Sequence, residues 1–171
     1  LTASAASGFN LHLQTTHDSI ESGDVLGKIE FSSPTEASTG DSREVSAAIE
    51  AVATNTFSSS VNETKLSFKT GASEAAAEKM SLDKDGNLNV TGAVLPNSAN
   101  GSALGSASKE WSDLYLSDGA VIYLGADQDV TLTHVADTGV LLNGTMQLQF
   151  NDASQYINAP SATVLDINAT D

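Results

Sequence analysis

The sequence predicts an all-β protein, and three observations carry that prediction. Apolar residues alternate with polar ones at a period of two in a series of short runs. Gly, Asn, Asp and Ser cluster between those runs, where turns need them. In the C-terminal third one apolar residue recurs at Leu116, Leu124, Leu132, Leu141, Leu148, Ile157 and Leu165, at spacings of 8, 8, 9, 7, 9 and 8 residues. The expected organisation is a β-rich domain over 1–91, a linker or crossing over 92–108, and a repeating β-stem over 109–171.

Phe9, Leu11 and Leu13 alternate with Asn10, His12 and Gln14, which predicts a first strand. The polar run TTHDSIESGD follows as a loop, and Val25 to Phe31 reads as a strand with Gly27 as a bulge. SSPTEASTGDS, with Pro34 and Gly40, is turn chemistry. Glu44 to Ala53 is rich in helix-forming Ala and Glu, but Val45, Ala47, Ile49 and Ala51 keep a two-residue period. It is read as a strand because strands flank it.

Leu66 and Phe68 mark the next strand, GASEAAAE a loop or single helical turn, and Met80 and Leu82 another strand. Asp85-Gly86 turns the chain into Leu88 and Val90. The stretch TGAVLPNSANGSALGSAS is the linker. Beyond it, KEWSDLYLSDGAVIYLG reads as strand, Asp118-Gly119 turn, strand, with apolar groups on both faces of the second arm. Asn143-Gly144 predicts a further hairpin, leading into the alternating MQLQF, Met146 to Phe150.

An eight-residue strand-turn unit suits a solenoid or fibre better than a sandwich. Such strands cannot bury both faces within one chain, and three chains wrapped about an axis would cover them by symmetry. The expected stem is therefore a homotrimer of the triple β-helix or interleaved β-prism type. Alanine makes the same demand. It supplies 23 of the 171 residues while aromatics are 5%, so each residue buries little area and self-association is expected to complete the core.

Twenty-two acidic residues face seven basic ones, a net charge of −15. That charge repels phosphate, so neither nucleic acid nor an anionic membrane is an expected partner. Three chains would carry three times −15, or −45, and would need salt to screen it. There is no cysteine, hence no disulfide framework and no thiolate metal site. LTASAASG holds no apolar run long enough for a signal peptide or membrane span. VLDINATD stops in mid-pattern, so a longer parent polypeptide is expected.

LGSASKEWSDLYLSDG has a Leu-Gly, a polar spacer, a Trp, then Leu-Tyr-Leu and a turn. It resembles a recurrent segment of tail fibre proteins of tailed bacteriophages. GDVLGKIEF and TKLSFKTGASEAAAEKMSLDKDGNLNVTG are similar to fibre regions common among marine phages. Together these stretches lie between about Gly23 and Gly144. The resemblance implies a homotrimeric virion fibre that attaches to the host from outside. Its partners would be itself, other virion proteins, and a host surface polysaccharide or outer-membrane receptor. Many relatives end in a self-cleaving chaperone domain, which nothing in this chain matches. A capsid-attached fibre or decoration protein, a tailspike polysaccharide depolymerase and a bacterial surface adhesin are the alternatives.

Asp83, Asp85 and Asn87 in LDKDGNL look like the start of a calcium loop. The later oxygen ligand and the glutamate at position twelve are missing, so a hairpin turn is the expected role. His12, His17 and His134 have no ligand spacing. Only a threefold axis would gather three of one kind. His12 is expected to be exposed, His17 to lie in a loop, and His134 to be a packed imidazole beside Val130 and Leu132. No nucleophile elbow, phosphate loop or dinucleotide fingerprint occurs, so neither catalysis nor a cofactor is expected. Asn-x-Ser/Thr sequons at Asn62, Asn89, Asn100, Asn143 and Asn168 are attributed to turn chemistry. Trp111, Tyr115 and Tyr123 are the binding candidates, a platform for sugar stacking, although closing the start of the stem is the favoured role.

Overall fold

The structure, a computed structural model, describes residues 11–33 and 40–169. It is all-β, with 39% of residues in strands, and it divides into two compact units, Leu1–Ser102 and Ala103–Asp171.

The first unit holds a five-stranded antiparallel sheet in the order of the chain. Its strands are β1 (Val25–Phe31), β2 (Ala47–Ala53), β3 (Thr64–Thr70), β4 (Ala77–Leu82) and β5 (Leu88–Val90). Each strand pairs with the one before it, so the sheet is a meander. The register of β1 on β2 shifts between Val25 and Gly27, the bulge expected at that glycine. Glu44–Ala53 resolves as strand rather than helix over β2. The alanine-rich stretch after Gly71 is a loop up to Ala76.

The strand expected over Phe9–Gln14 does not form at its described residues, Leu11 to Gln14, and Phe9 lies outside the described set. Alternation alone does not make a strand; an edge must be free to pair. Leu13 instead crosses β1 at the bulge, where a Cβ on Gly27 would come within 2.8 Å of the Leu13 Cβ. Pro34 and its neighbours to Thr39 also lie outside the described residues, and a short 3-10 turn at Asp41–Arg43 leads to β2.

Register divides the sheet into two chemically distinct faces, because residues paired across an antiparallel ladder point the same way. One row, Ile29, Ile49, Phe68, Met80 and Val90, crosses all five strands. A second row on that face is Gly27, Ala51, Leu66, Leu82 and Leu88. The opposite face carries Lys28, Glu50, Ser67, Ser81 and Asn89 in one row, and Glu30, Ala48, Lys69 and Glu78 in the next.

Burial runs opposite to polarity. On the polar face Ser67 is fully buried and Glu50 and Ser81 nearly so. On the apolar face Phe31, Ile29, Leu82 and Leu88 are exposed. Among the described residues the buried apolar side chains are Ala48 and Ala53, the alanine core that the composition implies.

The second unit holds two three-stranded antiparallel sheets. The first is β6 (Val121–Leu124), β7 (Val130–Val135) and β8 (Gly139–Leu142); the second is β9 (Leu148–Phe150), β10 (Asp152–Ser161) and β11 (Val164–Asn168). Leu124, Leu132, Leu141, Leu148, Ile157 and Leu165 fall one to a strand in β6 to β11, so the eight-residue period is a strand period. Leu116 falls in none.

Two expected hairpins are corrected. Residues 111–117 form no strand, although the Asp118-Gly119 turn closes with Ala120 N–H donating to Ser117 C=O at 3.1 Å. β6 pairs forward with β7 instead, Ile122 against Leu132 and Tyr123 against Thr131. Asn143-Gly144 also turns, but β8 and β9 belong to different sheets and do not pair. The Asn143 side chain instead extends the pairing of β8 with β7. Its Oδ1 accepts Thr131 N–H at 2.7 Å and its Nδ2 donates to Asp129 C=O at 2.8 Å, closing the ladder at the start of β7.

Candidate functional site

In the second unit Leu104, Trp111, Ser112, Asp113, Leu114 and Tyr115 line an open cavity of about 560 Å³. The loop that shapes it is held by a reciprocal bridge, Ser106 N–H to Lys109 C=O and Lys109 N–H to Ser106 C=O, both 3.1 Å. Gly105 has φ 85°, a conformation natural to glycine. A Cβ there would lie 3.1 Å from Trp111 Cδ1 and 3.0 Å from Lys109 C=O, so a side chain at this position would press on both the indole and the loop. This gives the Leu-Gly-spacer-Trp pattern its physical content: the glycine seats the tryptophan.

Trp111 is 68% exposed and Tyr115 91%. The structure brings these two together and leaves Tyr123 apart, exposed on β6 in register with Thr131. Two exposed aromatic rings beside a serine hydroxyl and the Asp113 carboxylate can stack on a flat ligand face and accept hydrogen bonds from hydroxyls. They can equally serve as anchors for a protein surface.

The polar face of the five-stranded sheet is the most organised charged cluster. Lys69 pairs with Glu50, and Lys65 Nζ stands 2.7 Å from Glu78 Oε2. The same Glu78 oxygen accepts the Ser67 hydroxyl at 2.7 Å. The Lys65 ammonium, then the Ser67 hydroxyl, hold the Glu78 carboxyl below its ordinary value. Ser67 and Ser81 are buried on this face.

Asp83 is a turn-builder. Its Oδ1 accepts the N–H groups of Asp85 and Asn87 at 3.0 and 2.9 Å, and its Oδ2 accepts the side-chain amides of Asn87 and Asn89 at 3.0 and 3.4 Å. Asn87, through its side chain first, keeps the Asp83 carboxyl below its ordinary value. The Ser73 N–H does the same for Glu74, and the Ser154 hydroxyl for Asp152. These four carboxylates are arranged to stay ionised rather than to carry a proton near neutrality.

His12 is exposed, and His17 Nδ1 lies 3.5 Å from Asp24 Oδ2. His134 is not the packed imidazole expected from its neighbours. It lies at the end of β7 with its side chain 42% exposed, where its Nδ1 faces Gly119 N–H at 3.3 Å and Asp118 Oδ1 at 3.7 Å. It joins the turn before β6 to the sheet. Among the described residues no group of three or more His, Asp or Glu side chains is placed to hold a metal ion.

Leu104 and Gly105 escape a search for functional residue types, since neither carries chemistry; their signal is the fixed distance to Trp111. The Glu50–Lys69 and Lys65–Glu78 pairs were readable as the polar half of the same alternation that marks the strands. No protein-family model, curated protein or solved structure matches the chain.

Proposed function

We propose that this chain is a structural and adhesive segment of a homotrimeric tail fibre of a tailed bacteriophage, displayed outside the host cell. One observation carries the reading: the sheets leave their apolar sides uncovered. In the second unit the facing sheets leave a cleft of about 650 Å³ lined by Leu124, Leu132, Val140, Leu148, Ile157 and Leu165. Val140, Leu148 and Leu165 are more than half exposed. Side chains of this kind belong in an interface, and neighbouring copies around an axis would supply it.

The regular strand period of β6 to β11 and the acidic surface fit the same reading. The finer expectation for the stem, a triple β-helix or interleaved β-prism, requires strands from three chains. The work of such a segment is mechanical, and host attachment gains from three copies engaging a surface at once.

Sedimentation of the purified chain is expected to give a trimer, and a stable monomer would overturn the reading. Trp111→Ala then sorts the role of the aromatic pair. Weakened assembly assigns it to the contact between copies. A fully trimeric variant that no longer adsorbs to cells assigns it to a host polysaccharide or receptor.

A further inference from the structure

We infer that the apolar face of the five-stranded sheet is the surface through which the first unit packs on a second copy of this chain. The inference rests on the self-association part of the proposed function and goes further by assigning the face.

Three observations single it out. The rows Ile29–Ile49–Phe68–Met80–Val90 and Gly27–Ala51–Leu66–Leu82–Leu88 place no charged residue on any of the five strands. That is unusual selectivity in a chain of net charge −15. Yet Phe31 is 54% exposed, Leu88 60% and Leu82 43%, whereas Ser67 behind them is fully buried. The polar face has already satisfied itself through Lys65–Glu78 and Lys69–Glu50. Among the described residues Leu13 lies against this face at its Gly27 corner, and Phe31, Leu82 and Leu88 remain open.

The area is of the right size. At the usual strand spacing and rise the face measures about 24 Å across and about 23 Å along its seven-residue strands, falling to about 10 Å at the three-residue β5, before side-chain relief is counted. A stable interface takes about 800 Å² from each partner.

The occupant follows from chemistry. An uncharged, unbroken apolar surface offers no hydrogen-bonding group to a sugar and no ion pair to a basic partner. It fits another apolar sheet face, and an identical chain carries one.

The test replaces exposed apolar residues with charge, which leaves the fold of one copy intact. Phe31→Glu and Leu82→Glu, singly and together, are compared with Lys28→Glu on the opposite face by sedimentation and circular dichroism. The expected result is an oligomeric parent, an oligomeric Lys28→Glu chain, and Phe31→Glu/Leu82→Glu chains that fall to monomers with unchanged β signal. An oligomeric parent whose face variants remain oligomeric overturns this assignment and leaves the proposed function standing. A monomeric parent overturns both.

Because the chain has no cysteine, Leu88→Cys gives a second, charge-free measurement should the charged variants not fold. A spin label there is expected to be immobilised and close to its counterpart in the oligomer. A label that stays mobile in the oligomer overturns the assignment.

Discussion

Lys65 Nζ and Glu78 Oε2 meet 2.7 Å apart across the β3–β4 pair, over the hydroxyl of fully buried Ser67, which donates to the same oxygen. A carboxylate with two such donors is easier to ionise folded than unfolded. Its folded-state value is lowered from 4.5, so the stabilisation is present above that unfolded value and is lost as pH falls through the lower folded one. Denaturant melts between neutral and strongly acid pH are expected to show an acid limb that Glu78→Gln flattens. A double-mutant cycle of Lys65→Met with Glu78→Gln is expected to give a coupling of about 1 kcal/mol at neutral pH, the upper end for a partly exposed pair.

Ser67 lies at the centre of that face with no room above it. Ser67→Ala removes one donor to Glu78 and is expected to cost about 1 kcal/mol. Ser67→Leu would improve the β-propensity of the position, yet it is expected to cost about 2 kcal/mol because the ion pairs overhead must be displaced. Equilibrium urea unfolding measures both. A leucine that stabilised the chain would mean the ion pairs are not seated over Ser67.

Asn143 shows how a turn signal is read correctly and its consequence wrongly. Asn-Gly promises a two-residue hairpin, and Gly144 does take φ 57°. The Asn143 amide, however, bonds Thr131 N–H and Asp129 C=O and so extends the β7–β8 ladder, while no strand returns onto β8. Asn143→Ala is expected to leave Thr131 N–H and Asp129 C=O without these partners and to cost about 1–2 kcal/mol. Amide exchange at Thr131 should quicken in the variant while exchange in the five-stranded sheet stays unchanged.

What was legible in the sequence was periodicity. Every strand of the first sheet announced itself through alternation such as Leu66-Ser67-Phe68, and the bulge through Gly27. Alternation cannot say whether an edge is free to pair, which is why Leu11–Gln14 and the arm at Trp111–Tyr115 look like strands and are not. Nor can it say which face is covered. The polar half of β2 and β3 reads as solvent-facing, but Glu50 and Ser67 on it are buried, and the apolar half reads as core although Ile29, Phe31, Leu82 and Leu88 on it are exposed. His134 was misjudged for the same reason: it shares a face with Val130 and Leu132 but sits at the end of its strand, where the Asp118-Gly119 turn rather than a packed neighbour meets it.

Gly105 and Trp111 carry the last prediction, because the glycine both adopts φ 85° and lies under the indole. Gly105→Ala sets a methyl 3.1 Å from Trp111 Cδ1 and 3.0 Å from Lys109 C=O, while holding a non-glycine residue in the left-handed region. The backbone strain alone is expected to cost about 1–2 kcal/mol. The indole must lift from its seat, and the Ser106–Lys109 bridge must open or shift. Trp111 is the sole tryptophan, so its fluorescence reports this directly: anisotropy is expected to fall. Gly105→Asn, which tolerates positive φ better but still carries a Cβ, separates the two causes. An indole freed equally by Ala and Asn assigns the effect to the methyl clash, whereas recovery in the Asn variant assigns it to backbone strain. Unchanged anisotropy in both would refute the seating of Trp111 on Gly105.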